Sequence, residues 1–304
     1  MLASTPTPSW NLAHDVHELF RYPFMRHAFV AGTIVAVLAG VVGYFVVVRG
    51  STFAAHALSE IGFAGASGGV AYGFSAVWGL LGMSLLGAAV IGLLGKRLRG
   101  RDTAIGTVLV FSLGLGSYFI TRYKGESASG PFGLLFGEIL GISVHDVWFI
   151  AVAATVTMAA MAAIYRPLLF ASLDEDVAEA RGVPVRGLSV GFLLVLAVAV
   201  TAAVQVVGVL LIFALLVTPA AIADRVCQTP GRAMALGVGL SVVFVWAGLA
   251  VTYYSKFPVG FLITGFAFVT YAAARLLTAG AMRRPSRAPG TSTASTIAPA
   301  DASI

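Results

Sequence analysis

Residues 188–223 run for 36 positions without one Asp, Glu, Lys or Arg. As a single helix this stretch would reach about 54 Å at 1.5 Å per residue. The hydrocarbon core of a bilayer is only roughly 30 Å thick and takes about 20 apolar residues to cross. The stretch therefore predicts two membrane spans folded back on each other, with Gln205 to Gly208 the only polar or flexible break near its middle. The rest of the chain agrees. Charged residues make up 11% of its 304 residues and hydrophobic ones 59%, whereas a soluble domain carries about 25% charge. The chain lacks the charge to cover a water-facing surface, so lipid is its solvent. Its 35 glycines would weaken a soluble helix bundle, but between membrane helices small residues let backbones pack closely.

The pattern predicts an all-α integral membrane protein, a polytopic bundle of about eight or nine transmembrane helices. Spans are expected near 28–48, 53–71, 75–95, 103–120, 146–165, 188–205, 207–223, 234–254 and 258–278. Residues 131–142 are apolar but short, which suits a re-entrant or interfacial segment. With the N-terminus outside, Arg49, Lys96, Arg97, Arg99, Arg101, Arg166, Arg181, Arg186, Arg225, Arg232, Arg275, Arg283, Arg284 and Arg287 fall on the cytoplasmic side. Only Arg21, Arg26, Arg122, Lys124 and Lys256 fall outside, 14 against 5, as the positive-inside rule requires. Basic residues scattered over short loops make no nucleic-acid patch. Residues 1–27 read as an N-terminal interfacial segment without a cleavable signal pattern, 28–280 as the membrane domain, and the Pro/Ser/Thr/Ala-rich 281–304 as a disordered cytoplasmic tail. Cys227 is the only cysteine, which excludes an internal disulfide and any cysteine-rich zinc site.

Ionisable groups inside a membrane are costly and mark function. Of the 13 acidic residues, Glu60 stands out within a span; Glu138, in the short apolar segment, is a weaker case. His56 lies four residues before Glu60, so the imidazole and the carboxylate share one helix face. Zinc accepts both ligand types and manganese tolerates both. The other reading is a buried hydrogen-bonded pair that only fixes packing, and the pair alone leaves the two about even. Two ligands are not a metal site by themselves, but a transient site suits transport, and a homodimer could supply two more ligands from its symmetry mate. Gly62, Gly65, Gly68 and Gly69 keep the neighbouring helix surface slim, for a packed helix or a pore wall. His14, Asp15, His17 and Glu18 read as a solvated face, His27 as interfacial, and Asp146, next to His145, as a helix cap.

The segment 166–187 breaks the apolar pattern. Asp174, Glu175 and Asp176 open a short helix, as acidic residues favour an N-terminus. Arg181 falls in its last turn, Gly182 ends it and Pro184 forbids continuation. A capped helix on the cytoplasmic side is a docking element for a partner, presented through Asp174, Glu175, Val177, Ala178, Glu179, Arg181 and Gly182. No GxxxxGK[ST] phosphate loop occurs: Gly95-Lys96 is followed by Arg97, with Val90 where the first glycine belongs. An ATPase, if one drives this chain, is a separate polypeptide.

FAAHALSEIGFAGA (53–66), DTAIGTVLVFSLGLG (102–116), LLFGEILGIS (134–143), and PLLFASLDEDVAEARGVPV (167–185) followed by VQVVGVLLIFALLVTPAAIADR (204–225) together resemble the permeases of bacterial ATP-binding cassette importers for zinc, manganese and ferrous iron. The likeness spans roughly residues 20–280. It implies a type II importer-like fold in the bacterial cytoplasmic membrane and a homodimeric permease served by two cytoplasmic ATPase subunits. It also implies an extracellular or periplasmic metal-binding protein that delivers the ion. No cofactor is held permanently: the divalent metal is cargo, and ATP belongs to the partner. On this resemblance 173–182 is the coupling helix seated in the ATPase, and His56 and Glu60 contact metal on its way through. The family commonly has Asp or His at the first of these positions and His at the second. Glu60 departs from that, and a carboxylate shifts preference away from softer, nitrogen-rich sites.

The function expected is thus a transport subunit with no catalytic residue of its own. A second class is a proton-coupled secondary transporter with Glu60 as proton carrier. A third, an intramembrane enzyme, finds no HExxH motif and no convincing nucleophile–base pair on two spans.

Overall fold

A computed structural model describes residues 20–94, 98–123, 135, 137, 139–209, 211–255 and 257–282. These form ten α-helices: α1 Pro23–Val48, α2 Thr52–Tyr72, α3 Ala76–Leu94, α4 Leu98–Arg122, α5 Val144–Leu173, α6 Glu175–Ala180, α7 Val185–Val207, α8 Ile212–Val226, α9 Pro230–Tyr254 and α10 Val259–Met282, with a single 3₁₀ turn, Ile139–Gly141, before α5. Among the described residues seven helices are long and apolar enough to cross a bilayer: α1, α3, α4, α5, α7, α9 and α10. With homologous membrane proteins described below, they make this a multi-pass cell-membrane protein.

Two sequence expectations are corrected. The first span starts before residue 28: Pro23 occupies the first turn of α1, where its missing N–H costs nothing and its fixed φ favours the helix. Residues 23–27 are thus part of α1, while 1–19 and the tail beyond 282 lie outside the described residues. The expected span 207–223 is a 15-residue helix, Ile212–Val226, about 22 Å long, short of a full crossing. The break in the uncharged run lies within the expected Gln205–Gly208 stretch, at its glycine end. Gln205 stays helical, and α7 ends at Gly208, whose φ of 87° and ψ of 162° suit glycine alone.

α1 and α7 form the centre. α1 packs against α5, α7, α8 and α9, and α7 against α3 and α5. Close approach depends on small residues. A Cβ on Gly43 would strike the Leu216 carbonyl of α8, and one on Gly40 would overlap the Val238 backbone of α9. α2 is clasped between α3, α4 and α7. At its membrane entry α5 carries a capping box: the Asp146 amide donates to Ser143 Oγ at 3.3 Å and Asp146 Oδ2 accepts from the Ser143 amide at 3.0 Å, which is the capping role expected of Asp146.

Candidate functional site

α2 is long enough to span but too polar to stand among the seven apolar spans; its place is inside the bundle, where Ala, Ser and Gly are almost all buried. Its one open stripe carries the polar pair. His56 Nε2 lies 3.2 Å from Glu60 Oε1, with the side chains 35% and 20% exposed. Two ligands of one cation, each about 2.0–2.2 Å from it, sit roughly 3.0–3.4 Å apart at octahedral to tetrahedral angles. The separation therefore suits a shared cation as well as it suits a hydrogen bond. The imidazole leans edge-on against Phe213 of α8 at 5.6 Å between ring centres. Its Nδ1 is sealed from solvent with no hydrogen-bond partner among the described residues, so Nε2 is the nitrogen turned to the opening.

Beside the pair lies the α7–α8 break. Ser59 Oγ donates to the His56 carbonyl at 2.7 Å and approaches the Val209 carbonyl at 3.4 Å; Val209 is buried. Irregular backbone at membrane depth is tolerated only where protein buries it or a cavity receives it. Broken helices at such depth are where transporters place their sites. Gly137, at φ 74°, packs backbone to backbone on Val207 and Gly208. Gly137, from the short apolar segment, thus lies directly against the break.

The glycines of α2 lie against a neighbouring helix. A Cβ on Gly62 would meet Ser84 and Leu80, one on Gly65 the Gly79 carbonyl, and one on Gly69 the Ser75 carbonyl at 3.0 Å. All three therefore face α3 and set the α2–α3 distance, away from the His56–Glu60 stripe. Among the described residues no group of three or more His, Cys, Asp or Glu could hold a metal. His14, Asp15, His17, Glu18 and Glu138 lie outside the described residues.

Asp174 caps α6, its Oδ1 accepting from the Val177 amide at 3.0 Å. The helix stops at Gly182, φ 83°: the Gly182 amide donates to the Glu179 carbonyl at 2.9 Å and the Val183 amide to the Ala178 carbonyl at 3.0 Å, the paired bonds of a glycine-terminated helix. Asp174, Glu175, Val177, Glu179, Arg181 and Gly182 are exposed. Ala178 is not: it is fully buried against Ala171, Val183 and Val185. It fastens α6 to the roots of α5 and α7 and leaves the opposite face exposed.

Sequence reasoning missed Phe213, the Ser59–Val209 contact and the surroundings of Arg49. The glycine inside an uncharged run was a signal for the break, though not for what the break would touch.

Comparison with known proteins gives this architecture a lineage. The chain is 28% identical over 240 residues to the manganese transport system membrane protein MntC of Halalkalibacterium halodurans, covering 79% of this chain and 82% of that one. It is 29% identical to the manganese import system permease protein ScaB of Streptococcus gordonii, over 77% of this chain and 84% of that one. Its fold superimposes on a chain of PsaBC from Streptococcus pneumoniae, solved in complex with Fab, with a TM-score of 0.76 and 27% identity, covering 86% of this chain and 94% of the other. Residues 21–277, from the approach to α1 through most of α10, match one family throughout, and this chain belongs to the ABC 3 transport family.

Proposed function

We propose that this protein is the membrane-spanning permease of an ATP-driven importer for a divalent transition metal, and that manganese is its preferred cargo over zinc. The observation that carries the reading is the His56–Glu60 pair, held 3.2 Å apart on a largely buried helix beside a helix break. One nitrogen and one carboxylate form a mixed, fairly hard donor set, and carboxylates suit manganese better than soft or all-nitrogen sites do. The manganese-transport names of MntC and ScaB support the same choice. Membership of the ABC 3 transport family supports ATP, rather than a proton gradient, as the energy source.

Two ligands are few, and for transport that is an advantage. A closed structural zinc site holds its ion by about 10–16 kcal/mol, too tightly for release within a transport cycle. In our reading the permease works as a homodimer, the second copy facing the same passage and adding ligands only in passing. α6 docks on a cytoplasmic ATPase through Glu175, Val177, Glu179, Arg181 and Gly182. Closure of two ATPases on ATP moves α6, and that motion turns the passage from outward-open to inward-open. A metal-binding protein on the outer face delivers the ion.

The test is uptake of radioactive manganese and zinc into vesicles holding the permease with its ATPase and its binding protein. ATP-dependent uptake with manganese outcompeting zinc supports the reading. Uptake that persists without ATP and collapses with an uncoupler overturns it.

A further inference from the structure

Arg49 sits at the α1–α2 turn, where by sequence it is one more cytoplasmic loop charge. The structure gives it a different setting. It is half-buried, and its guanidinium reaches two other helices. Nη1 donates to Ser172 Oγ at 3.3 Å and Nη2 to Ser189 Oγ at 2.7 Å, while Cζ lies 5.7 Å from the centre of the buried Phe192 ring. Ser172 gives its own proton to the Leu168 carbonyl at 2.6 Å, so its lone pairs are left for the guanidinium. The positive charge also lies at the C-terminal ends of both α1 and α5, where helix dipoles favour a cation.

The positions of the two serines matter. Ser172 is the penultimate residue of α5 and Ser189 stands in the first turn and a half of α7. Between them lies only α6 with its caps. Arg49 therefore grips both roots of the docking helix at once, and those roots are already joined through the Ala178 seat. On its other side Arg49 is joined by a short tight turn to α2, the helix that bears the His56–Glu60 pair. Gly50, at φ 60°, and Ser51 close the end of α1 tightly, the Ser51 amide donating to the Val46 carbonyl at 2.8 Å. α2 starts at Thr52, and His56 follows about one turn later.

We propose that Arg49 is the positioning residue that passes displacement of α6 to the α2 helix bearing His56 and Glu60. This rests on the importer reading above. The planar fork is what the role requires: it spans two hydroxyls on two helices, whereas a lysine ammonium is a point charge on a flexible stem. Arg49 itself touches no cargo.

The test uses the full-length permease in vesicles with its ATPase and binding protein, supplied with manganese, and reads manganese imported per ATP hydrolysed. Arg49→Lys is expected to keep ATP hydrolysis within about twofold of the parent while import per ATP falls at least tenfold. Ser172→Ala with Ser189→Ala, which leaves the charge in place, is expected to show the same split with a smaller loss; it also carries the test if the Arg49 variant fails to assemble. Import and hydrolysis falling in proportion, or an unchanged ratio in both variants, overturns the proposal and makes Arg49 a packing residue. A parent protein that hydrolyses ATP without importing manganese would instead sink the importer reading, which the parent measurement alone reveals.

Discussion

α1 and α10 are built from similar apolar sequence and have opposite fates. In the most apolar stretch of α1, 67% of the positions are buried; in that of α10, 11% are. The buried helix meets its neighbours through Gly32, Gly40 and Gly43, each too close to another helix to admit a Cβ without a shift. The outer helix turns Phe261, Phe268, Val269, Leu276 and Leu277 outward. α2 and α4 repeat the contrast: α2 is lined with Ala, Gly and Ser, while Val110 and Phe111 of α4 are about 70% exposed. In water the large side chains would be inside. In lipid no hydrophobic force separates the two faces, so close packing and polar contacts decide what goes inward.

The sharpest way to break that comparison is to give both kinds of helix the same new side chain. Gly43→Leu or Gly65→Leu drives a side chain into a facing carbonyl, and we expect at least about 3 kcal/mol of destabilisation, seen as loss of monodisperse protein in detergent. Gly106→Leu or Gly114→Leu on α4, where a Cβ meets nothing within 4 Å, should stay within about 0.5 kcal/mol of the parent in a thermal unfolding assay. Equal loss in both pairs would end the distinction.

A second prediction separates function from packing on the same inner helix. His56→Ala with Glu60→Ala should cut manganese uptake at least tenfold, roughly 1.4 kcal/mol or more of transition-state stabilisation, with membrane levels unchanged. Glu60→His should restore uptake and move preference toward zinc. Uptake unchanged in the double alanine variant would return the pair to a packing role.

At the cytoplasmic end the two faces of α6 can be set against each other. Ala178→Glu buries a carboxylate where there is no room or partner for it, and should loosen α6 by about 1–3 kcal/mol, read as faster proteolysis between α5 and α7. Glu179→Lys should leave that rate alone and uncouple ATP hydrolysis from import; normal stimulation of the ATPase would count against the docking face. The smallest effect is expected for Asp174→Ala, which removes one capping bond at 3.0 Å and should cost about 1 kcal/mol, visible as faster amide exchange at Val177.

What the sequence made legible follows from this physics. Span positions, the Asp146 cap and the Asp174-to-Gly182 helix depend on local chemistry, and local chemistry can be read from neighbouring letters. Which side of each span faces protein could not be read that way. When lipid and core are both apolar, hydrophobic residues recur on every face and their period carries little information. The contacts Gly65–Gly79, Gly43–Leu216, His56–Phe213 and Arg49–Ser189 join residues that only the tertiary fold brings together. The early start of α1 was hidden for a different reason: Arg26 and His27 read as part of an interfacial segment until Pro23 is recognised as a helix opener.

The meeting of Gly137 with Gly208 has a consequence for biosynthesis. α8 is too short to reach across the bilayer alone, and Gly137 packs on the Val207–Gly208 backbone just ahead of it, though α5, α6 and α7 separate Gly137 from Gly208 in the chain. As the polypeptide leaves the ribosome, the earlier piece has no seat until the later one has been delivered. This contact is therefore a late event, completed only when the end of α7 has entered the membrane, and a nascent chain stalled before Gly208 should be cleaved near Gly137 more readily than the finished protein.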